Sequence, residues 1–413
     1  MEMRKFNLPQ KAWFGDEDLQ ISLPGNWDIS VADIPADYRG GLTAGEIEEK
    51  LLNPVGCLPL PELARGTRKA VIIFDDLTRP TKVADIVPHV VAQLLDTGIK
   101  ESNISFVCSL GAHGAHTRLD FEKKLGADIV NRFAVYNHNP YENCEYVGKT
   151  QLGTPLYINK EVVDADLKIG IGCLLPHPFN GFGGGGKIIL PGVCSMETIY
   201  ENHKLVIKDF QERNVGFVGN MGIVEDSKMR ADVEDAARML PLHFKIDVLP
   251  NSKREAVEIS AGDPLKAYKN GIETAQKLYA AHYYKGADVV IANANAKGSE
   301  ALIAMLVGAH SLKPEGGNLV TVVDSPLGQV VHYLFNQFGE SCGGRLWSGG
   351  SSAPSTAKKN ILYSSYPGQR FGLCRDMVEC HKWEEVLEML RENTPDDAKA
   401  VIYKDATMQY VKE

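Results

Sequence analysis

The sequence predicts an α/β protein of two lobes, each built on a largely parallel sheet, with an active-site cleft between them. Three observations lead there. Short β-branched runs alternate with stretches of helical length, the rhythm of βαβ units. That rhythm breaks near residues 275–285 and then restarts. The length of 413 residues is also that of a two-domain chain. The expected domains are 1–280 and 281–413, with the last residues packing back on the first.

In the first lobe, KAVIIF (69–74) reads as a buried strand and VADIVPHVVAQLLDTG (83–98) as a helix ending at Gly98, in spite of Pro88. ISFVC (104–108) is the next strand and LDFEKKLG (119–126) a short helix. FAVYN (133–137), PLYINK (155–160) and ADLKIGIGC (165–173) form a second cluster of strands, and a helix covers 264–280. In the second lobe, strands are expected at 287–294, 317–325, 360–365 and 399–405. Helices are expected at 299–310, 327–339 and 382–393, and GGSSAPSTAKK (349–359) reads as a loop. No internal repeat or low-complexity tract is present.

Composition narrows the function classes. The chain is 44% hydrophobic and 23% charged, with a net charge of −9. That balance argues against broad binding to nucleic acid or an anionic membrane, though it leaves room for a local basic pocket. The first residues carry no apolar segment behind their charges, and no apolar run reaches the length of a membrane span. Eight cysteines without a CxxC pair read as reduced thiols. A cytoplasmic protein without membrane or nucleic-acid partners is expected.

The densest chemistry lies in 176–203. Gly181, Gly183, Gly184, Gly185 and Gly186 crowd before Lys187. Glycine runs occur where backbone N–H groups approach an anion, and also in mobile surface lids. Gly181 to Lys187 matches GxxxxGK, but Ile188 replaces the Ser/Thr of a P-loop, and the glycines begin well after the strand. His113, His116 and His177 follow predicted strands, where parallel sheets gather ligands. Each reads as a catalyst or as an ordinary hydrogen-bonded side chain. His203 sits on a predicted helix and alone reads as a helix histidine, although imidazole suits nickel. His89, His332 and His381 read as structural. Asp75, Asp76 and Arg79 end the strand 69–74. Acids there serve as caps and turns, whereas an arginine beside Pro80 suits a carboxylate or phosphate. Lys297 precedes a helix capped by Ser299 and reads equally as a cleft residue or a surface lysine.

DDLTRP (75–80), GAHGAHT (111–117) and PHPFNGFGGGGKIILPGVCSMETIYENH (176–203) together resemble the nickel-dependent lactate racemase family, in its order and near its spacing. The resemblance covers most of the chain and is weaker beyond 290. It implies a nickel-pincer nucleotide, nickel pyridinium-3,5-bisthiocarboxylic acid mononucleotide, joined through a thioamide to Lys187. Gly183, Gly184, Gly185, Gly186 and Asp76 lie in its cradle. It implies His203 as the protein's nickel ligand, His113 and His177 as general acid and base, and Arg79 and Lys297 as positioning cations. The implied partners are a small 2-hydroxy acid and the enzymes that make the cofactor.

The implied reaction is inversion at C2. Hydride leaves while a histidine takes the hydroxyl proton, giving a planar 2-keto acid, and hydride returns to the other face. Gly114-Ala115 after His113, Gly186 before Lys187 and NANAKGSEA around Lys297 depart from the family pattern, so a larger hydroxy acid or sugar acid is expected alongside lactate. Two other readings are a binding protein that holds the nucleotide without turnover and a nucleotide-phosphate hydrolase using the glycine loop.

Overall fold

The computed structural model describes residues 2–213, 220–334, 354–370, 376–392 and 394–412. They form two compact units, Arg39–Lys277 and Met1–Tyr38 with Leu278–Glu413.

The unit Arg39–Lys277 is built on a six-stranded sheet. In spatial order its strands are Ala256–Gly262, Phe244–Pro250, Leu167–Cys173, Ala70–Asp75, Ile104–Ser109 and Ala134–Asn137. All neighbours run parallel except the pair of Phe244–Pro250 with Ala256–Gly262. The middle strands Ala70–Asp75 and Leu167–Cys173 are buried along their whole length, as parallel strands covered on both faces must be. On one face Ile72, Phe74, Phe106, Ile169 and Ile246 share a core with Val87, Val90 and Leu94 of the helix Val87–Asp96. A 3₁₀ turn at Val83–Asp85 precedes this helix. Pro88 falls in its first turn, where no N–H is needed, and so does not break it. The turn Gly185–Ile188, which carries Lys187, lies against the central strands. Gly170 makes room for it, since a Cβ there would come within 2.8 Å of Ile188 Cγ2.

The other unit also has six strands, in the order Met377–Cys380, Ala357–Tyr363, Gly317–Val322, Val289–Asn293, Lys399–Tyr403 and Asp28–Ala32, all parallel. Val289, Ile291, Val320, Ile361 and Ile402 form its core with Trp383 and Leu390 of the helix Trp383–Arg391. The Trp383 indole donates to the Ser22 carbonyl at 2.7 Å, fastening the hairpin Met3–Gln10/Glu17–Pro24 to that helix.

Four expectations change. Residues 1–38 join the C-terminal unit, because Asp28–Ala32 completes its sheet beside Lys399–Tyr403. The terminal strand Tyr410–Lys412 pairs with Ala280–His282 in that same unit. Pro155–Asn159 is no part of a parallel sheet; it forms an antiparallel hairpin with Cys144–Lys149. The described part of the expected helix 327–339, up to Leu334, is turn and irregular backbone, and the rest lies outside the described residues. Residues 349–353 of the expected loop also lie outside them.

Ile169 fills the centre of the first sheet's core, so Ile169→Ala is expected to lower unfolding stability by about 2–5 kcal/mol. Urea denaturation checks this, and a variant matching wild type would contradict the assignment of this strand to the core.

Candidate active site

The site residues of the first unit lie on the loop that carries His113, after the strand Ile104–Ser109, and on three further chain segments. The first, 75–81, is fixed from many directions. Asp75 accepts from Thr81 Oγ1 at 2.6 Å and from the Cys173 amide at 2.9 Å. Its other oxygen pairs with the ammonium of Lys124 at 2.7 Å. Lys124 is only 1% exposed, and it also donates to the carbonyls of Asp76 and Arg79, each at 2.9 Å. The Leu77 amide donates to His116 Nε2 at 3.0 Å.

This scaffold aims Asp76. One of its oxygens accepts from the amide and hydroxyl of Thr78; the other meets His113 Nδ1 at 2.6 Å. Burial pushes the Asp76 carboxyl up. The charge and hydrogen bond of His113, with Arg79 and His116 behind them, outweigh burial and hold it far below the usual carboxylate range. An ionised acceptor makes His113 the donor through Nδ1–H, which places the neutral ring's lone pair on Nε2. Arg79 lies half-buried beside this pair, with Nη1 donating to Thr78 Oγ1 at 2.8 Å.

His116 has a different role. Its Nε2 accepts a backbone proton and its own amide donates to Asn137, so it braces the loop. Burial lowers its pKa, which keeps it a neutral acceptor.

The second segment is the glycine run. Gly181, Gly184 and Gly185 have φ of 70°, 79° and 56°, in the region that favours glycine. A Cβ on Gly184 would stand 2.6 Å from Asp247 Oδ1, and one on Gly186 would stand 2.8 Å from the Val233 carbonyl. The Gly185 amide donates to the Asp247 carboxylate at 3.0 Å, and the Gly183 amide to the Leu175 carbonyl at 2.7 Å. Arg230 donates to the Gly184 carbonyl at 3.1 Å and stacks on Tyr268, while Lys245 neutralises Asp247 at 2.7 Å. Close packing thus accounts for these glycines. The amides of Gly183 and Gly185 are spent inside the protein, so they do not cradle a phosphate. The clamp presents Lys187 at the end of the turn.

The third segment is the helix Met196–Arg213, with buried His203. His203 Nδ1 donates to the Ile199 carbonyl at 2.9 Å, which leaves the lone pair on Nε2. Burial, together with the positive charges of Lys187 and His113, brings its pKa down to about 3. Asn202 beside it bonds Asp232 at 2.8 Å, pinning this helix to Lys228–Met239. Phe179 stands edge-on to both His203 and His177, with centroids 6.1 and 5.8 Å away. The Phe179 amide donates to His177 Nδ1 at 3.1 Å, so a neutral His177 carries its proton on Nε2. The Gly111 amide bonds the Gly192 carbonyl at 2.9 Å, tying the His113 loop to the segment after Lys187.

The structure therefore brings Asp76, Arg79, His113, His177, Lys187 and His203 onto one unit. Lys297 belongs to the other unit. It is buried, its amide donates to Thr407 Oγ1 at 3.1 Å, and the adjacent Ala296 amide donates to Asp405 at 2.7 Å. Burial raises Asp405 to about 6, against the pull of those bonds. His89 sits on the helix Val87–Asp96, whereas His332 lies in irregular backbone and accepts the Leu334 amide. Sequence reasoning missed Lys124, Arg230, Asp247 and His138. His138 is buried between the Asn159 amide group and the Cys194 carbonyl.

Comparison with known proteins gives a consistent result. Residues 14–214 match the lactate racemase N-terminal domain. A lactate racemase from Thermoanaerobacterium thermosaccharolyticum is 32% identical over 283 residues, which are 67% of this chain and 64% of that protein. One from Lactiplantibacillus plantarum is 33% identical over 246 residues, 59% of this chain and 56% of that protein. The chain thus spans less than two thirds of the length of either relative. The lactate racemase apoprotein structure from T. thermosaccharolyticum matches with a TM-score of 0.76 at 24% identity, over 99% of this chain and 100% of that one. A crystal structure of a protein from Thermotoga maritima matches with a TM-score of 0.65 at 18% identity, over 91% and 100%. Both show the α/β fold.

Burial pushes His138 down to about 4, against its bond to Cys194, while the unfolded ring titrates near 6.5. The unfolded state therefore binds the extra proton below about pH 6.5, and stability is lost as pH falls from there toward 4. His203 adds to the same slope, and the depressed Asp76 extends it below about pH 4. In urea titrations across this range, His138→Gln is expected to fall less steeply than wild type. An unchanged slope would contradict a buried neutral His138.

Proposed function

Because this chain is a relative of the lactate racemases, we propose that it is a racemase or epimerase that inverts C2 of a 2-hydroxy acid with a nickel-pincer nucleotide carried on Lys187. The observation that carries this reading is the opposite bias of two histidines. His113, held by Asp76, offers a basic Nε2 that takes the hydroxyl proton, while His177, with Nδ1 accepting from the Phe179 amide, presents its Nε2–H as a hydrogen-bond donor. Inversion through a planar 2-keto acid needs a proton acceptor for one enantiomer and a proton donor for the other. Either ring donates only as the imidazolium and accepts only as the neutral imidazole, so in the reverse direction the two rings exchange tasks by exchanging these forms.

The residues fit the cofactor. Among the described residues no group of three or more His, Cys, Asp or Glu side chains converges to hold a metal ion. The protein's proposed share of a nickel site is the imidazole of His203, buried and with its tautomer set by Ile199. Lys187, presented by the turn that Asp247 and Arg230 clamp, is the attachment point. When bound, the nucleotide supplies the hydride acceptor and donor. Arg79 is the cation proposed to hold the substrate carboxylate, with the planar fork for a bidentate contact, and Lys297 of the other unit is a proposed positioning cation. The ionised Asp76 keeps His113 oriented and stabilises its imidazolium once the hydroxyl proton has arrived.

Protein made together with cofactor-biosynthesis enzymes is expected to interconvert the enantiomers of lactate or a larger 2-hydroxy acid, read by chiral chromatography. His113→Asn and His177→Asn are each expected to reduce kcat by about 10²- to 10⁴-fold. Nickel-loaded protein that inverts no 2-hydroxy acid would overturn the reading.

A further inference from the structure

We propose that Lys124 is a positioning residue for the proton transfer assigned to His113, acting by holding both carbonyls of the turn that carries Asp76 and Arg79. The inference rests on the racemase reading for its activity readout only. Lys124 comes from the helix Arg118–Leu125, away from the strand ends, and its ammonium is buried. A buried ammonium is costly unless its protons are matched, and three of its partners lie within 75–79. They are Asp75 Oδ1 at 2.7 Å and the carbonyls of Asp76 and Arg79 at 2.9 Å each. The two carbonyls are the ends of one tight turn, closed by the Arg79 amide on the Asp76 carbonyl at 3.1 Å.

That turn fixes two groups of the proposed chemistry. Asp76 leaves it toward His113 Nδ1, and Arg79 leaves it with its guanidinium on Thr78. Asp75 has two further donors, Thr81 and the Cys173 amide, whereas the Asp76 and Arg79 carbonyls both accept from the Lys124 ammonium. Releasing the turn therefore shifts the carboxylate that orients His113 and the arginine beside it. A shift of about 1 Å in such a group costs about 10²-fold in rate.

The test separates this role from simple charge balance at Asp75. Holoenzyme is prepared as wild type, Lys124→Met and the charge-balanced double variant Lys124→Met/Asp75→Asn. Lys124→Met is expected to lower kcat about 10²-fold with a smaller change in KM. The double variant is expected to regain the wild-type thermal transition but not kcat. In both, the ¹⁵N signals of the His113 ring are expected to lose the Nδ1–H form seen in wild type.

Wild-type kcat and wild-type ring signals in the double variant would overturn the proposal and leave Lys124 a counter-ion for Asp75. A double variant without a folding transition would overturn it too, assigning Lys124 to folding. If wild type itself inverts nothing, the racemase reading fails alone, and the ring signals still decide the role of Lys124.

Discussion

The 2.6 Å hydrogen bond between Asp76 and His113 is the interaction on which the rest of the site depends. A carboxylate buried at the end of a β-strand stays ionised only where hydrogen bonds and nearby positive charge outweigh desolvation. Here Thr78 supplies two donors, His113 a third, and Arg79 nearby positive charge. Each needs the 75–81 segment in one conformation; Thr81 closes it from within, and Lys124, Cys173 and His116 impose it from three separate places in the chain. The result is a histidine with a fixed tautomer, which proton transfer in a defined direction requires.

The glycine run shows how a plausible local reading yields to packing. Five glycines before a lysine suggest backbone amides turned toward an anion. In the fold, positive φ at Gly181, Gly184 and Gly185 and close contacts at Gly184, Gly185 and Gly186 to Asp247, Arg230 and the helix Lys228–Met239 demand glycine on their own account. The buried Lys245–Asp247 pair and the stacked Arg230 hold the turn from beneath. The run thus serves to present Lys187 rigidly. That matters for any group attached there, because positioning is the protein's part in cofactor chemistry.

The central strands were legible because their residues are apolar throughout and their neighbours in space are their neighbours in the rhythm of the chain. Asp76, Arg79 and His177 were legible as candidates because polar residues cluster at strand ends. His203 and Lys187 took meaning only from the resemblance. What stayed hidden is long-range. Nothing near Lys124 distinguishes it from the exposed lysines of a short amphipathic helix; its partners lie 45 to 49 positions earlier. Asp28–Ala32 has the composition of a strand, but its partner is Lys399–Tyr403. Likewise Pro155–Asn159 shows strand propensity without showing that its pairing is antiparallel.

The most direct test of hydride-based inversion follows the isotope at C2. The nickel-loaded protein is given one enantiomer of a 2-hydroxy acid carrying deuterium on Cα, in ordinary water, and the product enantiomer is analysed by mass spectrometry. The account predicts that the deuterium stays on Cα through inversion, because His113 and His177 handle only the hydroxyl proton. Replacement of that deuterium by solvent hydrogen at the rate of inversion would contradict it and point to direct deprotonation of the carbon.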